Sequence, residues 1–325
     1  MGFETEWIER LIQMFGRTGR GLAMGIGSDC AVLAQPLAAT LVSTDTQVEG
    51  VHFDTAFMTF ADVGYRAVTC ALSDLAAGGC DADLPFLVFL SAAFPNRLSG
   101  ADREQIAEGI GDALREHDAT LAGGDTVLTP GPVTITATVI GQARRPLHRG
   151  GARPGDAVLV VGHLGGAGGA LHLFHTQQAT EHDDDLLAAY RRPRALLRIG
   201  GVLASVGASA CADVSDGLML DVSRIGERSG VALELDLDRL PIHPALVAHA
   251  AFDDERRMNL AATFGDDYAL VATSPAGRVE AIERAVARAG TLCTTVGRCA
   301  EGAAGEVRAT WRKEPYRPER PGYEH

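Results

Sequence analysis

Arg144-Arg145-Pro146-Leu147-His148-Arg149-Gly150-Gly151-Ala152-Arg153-Pro154-Gly155-Asp156 divides the chain. Two prolines and three glycines in thirteen residues interrupt any regular element, and the stretch falls near the middle of 325 residues. A chain of that length exceeds one ordinary core, so the stretch reads as a domain boundary, with residues 1–145 before it and 146–325 after it.

On both sides apolar periodicity alternates between strand and helix. Before the boundary, helices are expected over Glu4–Phe15, Phe60–Ala77 and Ala101–His117, and strands over Ala39–Thr44, Phe86–Ala92 and Val133–Gly141. Leu121-Ala122-Gly123-Gly124-Asp125 reads as a strand end entering a turn. After the boundary, strands are expected at Ala157–Val161, Val231–Leu235, Tyr268–Thr273 and Cys293–Gly297, with helices between them. The expected class is α/β with mixed sheets in a two-domain subunit.

Composition excludes several functions. Net charge is −13, which disfavours non-specific binding to nucleic acid or anionic membranes. Hydrophobic content of 46% with no apolar run of spanning length is that of a soluble protein. Six cysteines lie scattered with no C-x-x-C pair, as free thiols in a reducing cytosol do. The acidic N-terminus lacks a secretion pattern, so a cytoplasmic location is expected. Lys313 is the single lysine, and a Walker A loop needs one after its glycines, so a P-loop nucleotidase is excluded.

Aspartates carry the chemistry. Asp29, Asp45, Asp74, Asp125, Asp213 and Asp216 each stand beside small or hydroxyl residues where an element is expected to end. Any one of them alone is more often a turn or capping residue. Asp74 is the exception, because its helix, Thr69 to Ala77, offers little polar face. Together they form a set suited to hard cations, and Mg²⁺ takes one or two carboxylates plus substrate phosphates. Metal-bridged phosphoryl chemistry is therefore expected. Gly162-His163-Leu164-Gly165-Gly166-Ala167-Gly168-Gly169 follows a strand and opens a helix, but it misses the dinucleotide register and reads as tight packing. His52, beside Glu49-Gly50-Val51, would by itself be structural.

Taken in order, Gly25 to Leu33, Val42 to Phe53, Leu72 to Gly79, Gly123 to Thr126, Arg149 to Asp156 and Asp213 to Leu218 resemble the motifs of the thiamine-monophosphate kinase family, within the aminoimidazole ribonucleotide synthetase superfamily. The resemblance runs from about residue 3 to Gly322-Tyr323-Glu324-His325. It implies a homodimer whose N-terminal sheets pair, with ATP in an interdomain cleft. The N-terminal domain would bind metal and ATP and dimerise. Asp29, Ser43, Thr44, Asp45, Asp74, Asp125, Asp213 and Asp216 would hold Mg²⁺, and Gly124, Asp125, Arg149 and Ser215 would contact ATP. Asp74, Asp125 and Arg149 would be catalytic, and His52, Asp266 and Tyr323 would touch thiamine monophosphate. Two positions depart from the family pattern. Ser28 stands where an aspartate is usual, which removes charge from one metal site. Phe264-Gly265-Asp266-Asp267 stands for Gly-Gly-Glu-Asp and shortens a carboxylate facing the acceptor.

The implied reaction is transfer of the ATP γ-phosphoryl group to thiamine monophosphate. Its acceptor oxygen is largely ionised near neutral pH, so charge neutralisation rather than a strong base is the task. The competing readings are a paralogue using ATP on another phosphate or amide, and a non-catalytic nucleotide sensor. Asp266 and Tyr323 are expected to lie apart from the motifs assigned to metal and nucleotide.

Overall fold

The structure is a computed structural model that describes residues 10–16, 22–24, 32–33, 39–180 and 183–323. Ser28 and Asp29 therefore lie outside the described residues, as does most of the glycine-rich stretch around them. The chain forms two compact units, one of residues 1–75 and 80–144, the other of 76–79 and 145–325.

The first unit is built on a four-stranded sheet. Strands β1 (Leu22–Met24) and β2 (Val32–Leu33) form a separate antiparallel pair. The main sheet takes β3 (Ala39–Val48), β4 (Phe86–Pro95), β5 (Ala119–Thr129) and β6 (Thr134–Ala143) in the order β3-β6-β4-β5, with only β4 and β5 parallel. Helix α1 (Phe60–Ala77) lies between β3 and β4 in the chain and α2 (Gly100–Glu116) between β4 and β5. Both helices begin at a capping box: Thr59 with Asp62, and Ser99 with Asp102. Val68, Leu72 and Leu75 bury one face of α1, and Ile106 and Ile110 bury one face of α2. The helices cross at glycines, because a Cβ on Gly109 would lie 1.7 Å from the Ala61 carbonyl oxygen.

Two strands differ from expectation. β3 continues through Asp45 to Val48, and β5 continues through Asp125 to Thr129. Both aspartates are thus strand-interior residues and not turn residues. Main-chain pairing overrides the glycine signal at 123–124, because the Leu90 carbonyl packs against Gly124, 1.9 Å from where a Cβ would be.

The second unit holds a seven-stranded sheet, antiparallel except where β9 meets β12. Its strands are β7 (Ala157–Val161), β8 (Ala210–Asp213), β9 (Ala232–Asp236), β10 (Leu270–Ser274), β11 (Cys293–Ala300), β12 (Val307–Trp311) and β13 (Glu314–Tyr316), ordered β13-β12-β9-β11-β7-β10-β8. Helices α3 (Gly166–His175), α4 (Asp184–Arg191), α5 (Leu197–Val206), α6 (Leu218–Ser229), α7 (Pro244–Ala248), α8 (Asp254–Thr263) and α9 (Val279–Arg288) join them. Val158, Val160, Leu218, Val222, Ile225 and Val271 centre its core. The sequence periodicity does not single out α4, α8, β8, β12 or β13. β8 is four residues, and α8 opens on four charged residues with its apolar ones confined to the later turns, so neither presents a clear period. Cys211, Cys293 and Cys299 are free thiols, and burial pushes the Cys80 thiol up to about 12, which keeps it inert.

Candidate active site

Acidic and hydroxyl side chains of the first unit gather on the sheet. Ser43 Oγ donates to Asp74 Oδ2 at 2.5 Å, which joins β3 to the last turns of α1. Asp45, two residues along β3, lies on the same sheet face as Ser43. Its Oδ1 accepts the Thr46 N–H at 2.7 Å and its Oδ2 accepts Gln47 Nε2 at 3.2 Å. Gln47 is buried, so it fixes that carboxylate from within the fold.

Strand alternation divides the expected ligand set. Register aligns Asp45 with Ala137, Leu90 and Gly124, while Asp125 aligns with Ser91, Thr136 and Thr46. Asp125 and the Thr44 hydroxyl thus belong to the opposite face, where Thr44 Oγ1 meets Thr138 Oγ1 at 2.8 Å. Ser43 and Asp45 thus share one face and Thr44 takes the other, because β3 continues as a regular strand through Asp45. Asp125 is exposed, and its Oδ1 accepts the Thr126 N–H at 2.9 Å. His52 staples the end of β3: its Nδ1 accepts the Val48 N–H at 3.1 Å, which leaves the ring proton on Nε2. Among the described residues, no three His, Cys, Asp or Glu side chains converge as a metal-binding group.

In the second unit the chemistry gathers on the turn between β8 and α6. Asp213 ends β8 and is 3% exposed. Ser215 and Asp216 follow, and Gly217 opens α6 with φ of 117°, which suits a glycine. Asp216 Oδ2 meets Arg224 at 2.5 Å. Asp221, fully buried, accepts the N–H groups of Ser215 and Asp216. Its carboxyl is pushed up to about 6, mainly by burial and further by Asp216, against the pull of Arg224 and Arg149. That pull places the Arg149 charge within electrostatic range of the turn. The main chain around Arg149 is held by Ser229, whose Oγ donates to the Arg149 carbonyl and accepts from the Gly151 and Ala152 N–H groups.

The structure corrects the expected separation of the acceptor residues from this turn. Asp266 N–H donates to the Ser215 carbonyl at 2.9 Å, and Tyr323 N–H donates to the Asp216 carbonyl at 2.9 Å. Both follow from chain reversals that sequence distance conceals. Asp266 and Tyr268 have φ of 64° and 50°, a conformation uncommon for side-chain-bearing residues. Tyr268 Oη donates to Asp266 Oδ1 at 3.1 Å and holds that carboxylate in place. The sequence reading missed Gln47, Asp221, Arg224 and Asp267. The i,i+3 spacing of Asp221 and Arg224 at the start of an uncapped helix was the available signal.

Asp267 settles the glycine-rich stretch. Its carboxylate accepts the Gly165 N–H at 2.6 Å and the Ala167 N–H at 3.2 Å, which fills the N-terminus of α3 where a phosphate would otherwise bind. Phe264 packs on Gly168, and His243 packs on Gly166, so these glycines serve close packing. Desolvation raises the Asp267 carboxyl to about 7, with Asp266 adding to it and the helix N–H groups opposing. A carboxyl raised above its unfolded value gives stability below about pH 4 that is lost as pH rises through about 7. The stability difference between wild type and Asp267→Asn is therefore expected to fall by roughly 2–4 kcal/mol from pH 4 to pH 8. Denaturant titrations across that range check it, and a flat difference refutes it.

Sequence models of the AIR synthase related proteins match the chain twice, the N-terminal domain over residues 27–143 and the C-terminal domain over residues 153–310. The two-unit fold and its acidic motifs thus define an AIR synthase related protein. Thiamine-monophosphate kinase of Caulobacter vibrioides is 34% identical over 99% of this chain and 90% of its own length. The chain belongs to the thiamine-monophosphate kinase family. The crystal structure of thiamine-monophosphate kinase from Stenotrophomonas maltophilia has 31% identity and a TM-score of 0.82, covering 95% of this chain and 96% of that one. AaThiL complexed with AMPPCP and TMP has 26% identity and a TM-score of 0.76, covering 88% and 87%. Among the described residues, no helix is long and apolar enough to cross a membrane.

Proposed function

We propose that this protein transfers the γ-phosphoryl group of ATP to thiamine monophosphate and forms thiamine diphosphate. The observation that supports the reading is the hydrogen-bonded assembly of Ser215, Asp216, Asp266 and Tyr323, residues for which the family resemblance implies nucleotide, metal and acceptor contacts. Family membership and the TMP complex of a relative support it.

The donors are hard oxygens. Ser43, Asp45 and Asp74 on one face would hold part of the ligand set of Mg²⁺, an ion that takes one or two carboxylates together with substrate phosphates. The residues present therefore fit magnesium, with Thr44, Asp125, Asp213, Asp216 and Asp29 as the further assigned ligands. Magnesium, when bound, supplies charge neutralisation between the two anionic reactants. Arg149 would add a guanidinium to the nucleotide phosphates, and Gly124 and Ser215 are the further nucleotide contacts that the family resemblance implies. His52, Asp266 and Tyr323 orient the acceptor, the carboxylate facing the cationic thiazolium and the exposed Tyr323 offering a ring that can stack on it. Residues 1–145 form the metal-binding and dimerising domain and residues 146–325 the second domain. Exposed Val42, Val127 and Leu128 on the first unit's outer strands favour pairing of two copies through these sheets. The protein works in the cytoplasm, in keeping with its free thiols.

The test is the product formed from ATP, Mg²⁺ and thiamine monophosphate. Thiamine diphosphate with stoichiometric ADP supports the reading. Turnover only with another phosphate or amide, or with none, refutes it. Asp266→Ala and Tyr323→Ala are each expected to raise KM for thiamine monophosphate about 10-fold with KM for ATP constant, since truncation leaves the main-chain bonds to the turn intact. An unchanged acceptor KM in both variants removes these residues from the acceptor site.

A further inference from the structure

From Val214 to Asp216, the turn after β8 has each main-chain polar group engaged. Val214 N–H donates to the Ala269 carbonyl at 2.8 Å, and the Val214 carbonyl accepts Tyr268 N–H at 3.0 Å. The Ser215 and Asp216 carbonyls accept Asp266 N–H and Tyr323 N–H. The two remaining N–H groups, of Ser215 and Asp216, converge on one oxygen, Asp221 Oδ2, at 3.1 Å each. The other oxygen, Oδ1, accepts Arg224 Nη1 at 2.8 Å, and the same guanidinium nitrogen reaches Asp216 Oδ2.

Asp221 is 0% exposed, between core residues Leu218, Val222 and Ile225 of its own helix. A carboxylate in that position costs desolvation energy that an apolar residue would not. Its retention is explained by the two N–H groups it alone satisfies, since unpaired buried donors are themselves costly. It also receives the clamp that ties Asp216 to α6.

We propose that Asp221, braced by Arg224, is the positioning residue that couples recognition of the two substrates: it fixes the turn that presents Ser215 and Asp216 to the nucleotide and anchors Asp266 and Tyr323 for the acceptor. The proposal rests on the kinase reading for its kinetic part only.

Asp221→Asn in the full chain tests it. The asparagine keeps the shape, but its amide turns a donor toward Arg224. Val222→Ala is the control: it opens a cavity in the same helix and core and touches none of the turn's hydrogen bonds. Arg224→Gln, which leaves Asp221 and both N–H bonds in place, is the milder second variant should Asp221→Asn not fold. Amide hydrogen exchange is read on the unliganded protein, and KM for ATP and for thiamine monophosphate on the active one. Asp221→Asn is expected to speed exchange at Ser215, Asp216, Asp266 and Tyr323 by about 10-fold or more, the loss of ~1.4 kcal/mol of local protection. Both KM values rise together, and Arg224→Gln shows the same pattern more weakly. Val222→Ala lowers the melting temperature without either effect. Unchanged exchange at Asp266 and Tyr323 overturns the proposal, as does a rise in only one KM or the same pattern in Val222→Ala. If the wild-type protein does not phosphorylate thiamine monophosphate, the functional reading falls, and the exchange measurements still decide whether Asp221 holds the turn.

Discussion

Replacing Asp74 by asparagine is expected to lower kcat by on the order of 10²–10³ while the protein stays folded. Asp74 is partly exposed, near the end of a helix whose residues from Thr69 onward are otherwise small or apolar. Its carboxylate meets Ser43 Oγ from the sheet, so it is aimed at the face that also carries Asp45. Asparagine preserves size and can still accept from Ser43, but it removes the negative charge on which cation binding depends. The loss therefore falls on charge stabilisation of the transferring phosphoryl group. Measurement of kcat at saturating Mg²⁺, beside a thermal melt, checks the prediction. Near wild-type kcat takes Asp74 out of the catalytic set. The same substitution at Asp125, on the opposite face, tests whether that face takes part in the reaction.

Gly265→Ala is expected to damage both substrates at once. A Cβ at Gly265 would lie 2.0 Å from the Ser215 carbonyl oxygen, the atom that accepts Asp266 N–H. The two segments must separate, at a cost of about 1–3 kcal/mol in stability. Their separation displaces Ser215 and Asp266 together. KM for ATP and KM for thiamine monophosphate should each rise, roughly 10-fold or more, and kcat should fall, because the reacting groups lose alignment. This contrasts with Asp266→Ala, which removes a side chain and leaves the main-chain contact in place. Steady-state kinetics of the two variants side by side decide the matter. An acceptor-only defect in Gly265→Ala means that the Ser215 contact does not transmit to the nucleotide.

The mixed α/β class was legible from alternating periodicity, and the long amphipathic helices were legible almost to the residue: Phe60–Ala77 matches its expected span, and Gly100–Glu116 differs by one residue at each end. Both are long, buried on one face and closed at the N-terminus by local capping boxes, so nearest neighbours suffice to define them. Free thiols and the packing role of the glycine-rich stretch were also readable, the latter because its spacing fits no phosphate loop. Short β8 and polar α8 were not readable, since their stability comes from sheet neighbours and from the core beneath them.

The sequence by itself determined the oxygen-rich acidic chemistry, the two-part organisation of the chain and the family whose motif order it shares. Side-chain identity and linear order carry that information, and neither needs a third dimension. Only the tertiary structure decided that Asp45 and Asp125 occupy opposite faces of one sheet, because face depends on how far each strand continues and on register across four strands. It also decided that Asp266 and Tyr323 join the Ser215–Asp216 turn, and that Asp221 and Arg224 hold it. The Asp266 and Tyr323 contacts are main-chain hydrogen bonds between segments far apart in the sequence, and a backbone N–H or carbonyl has no signature in the sequence until the chain has folded back on itself.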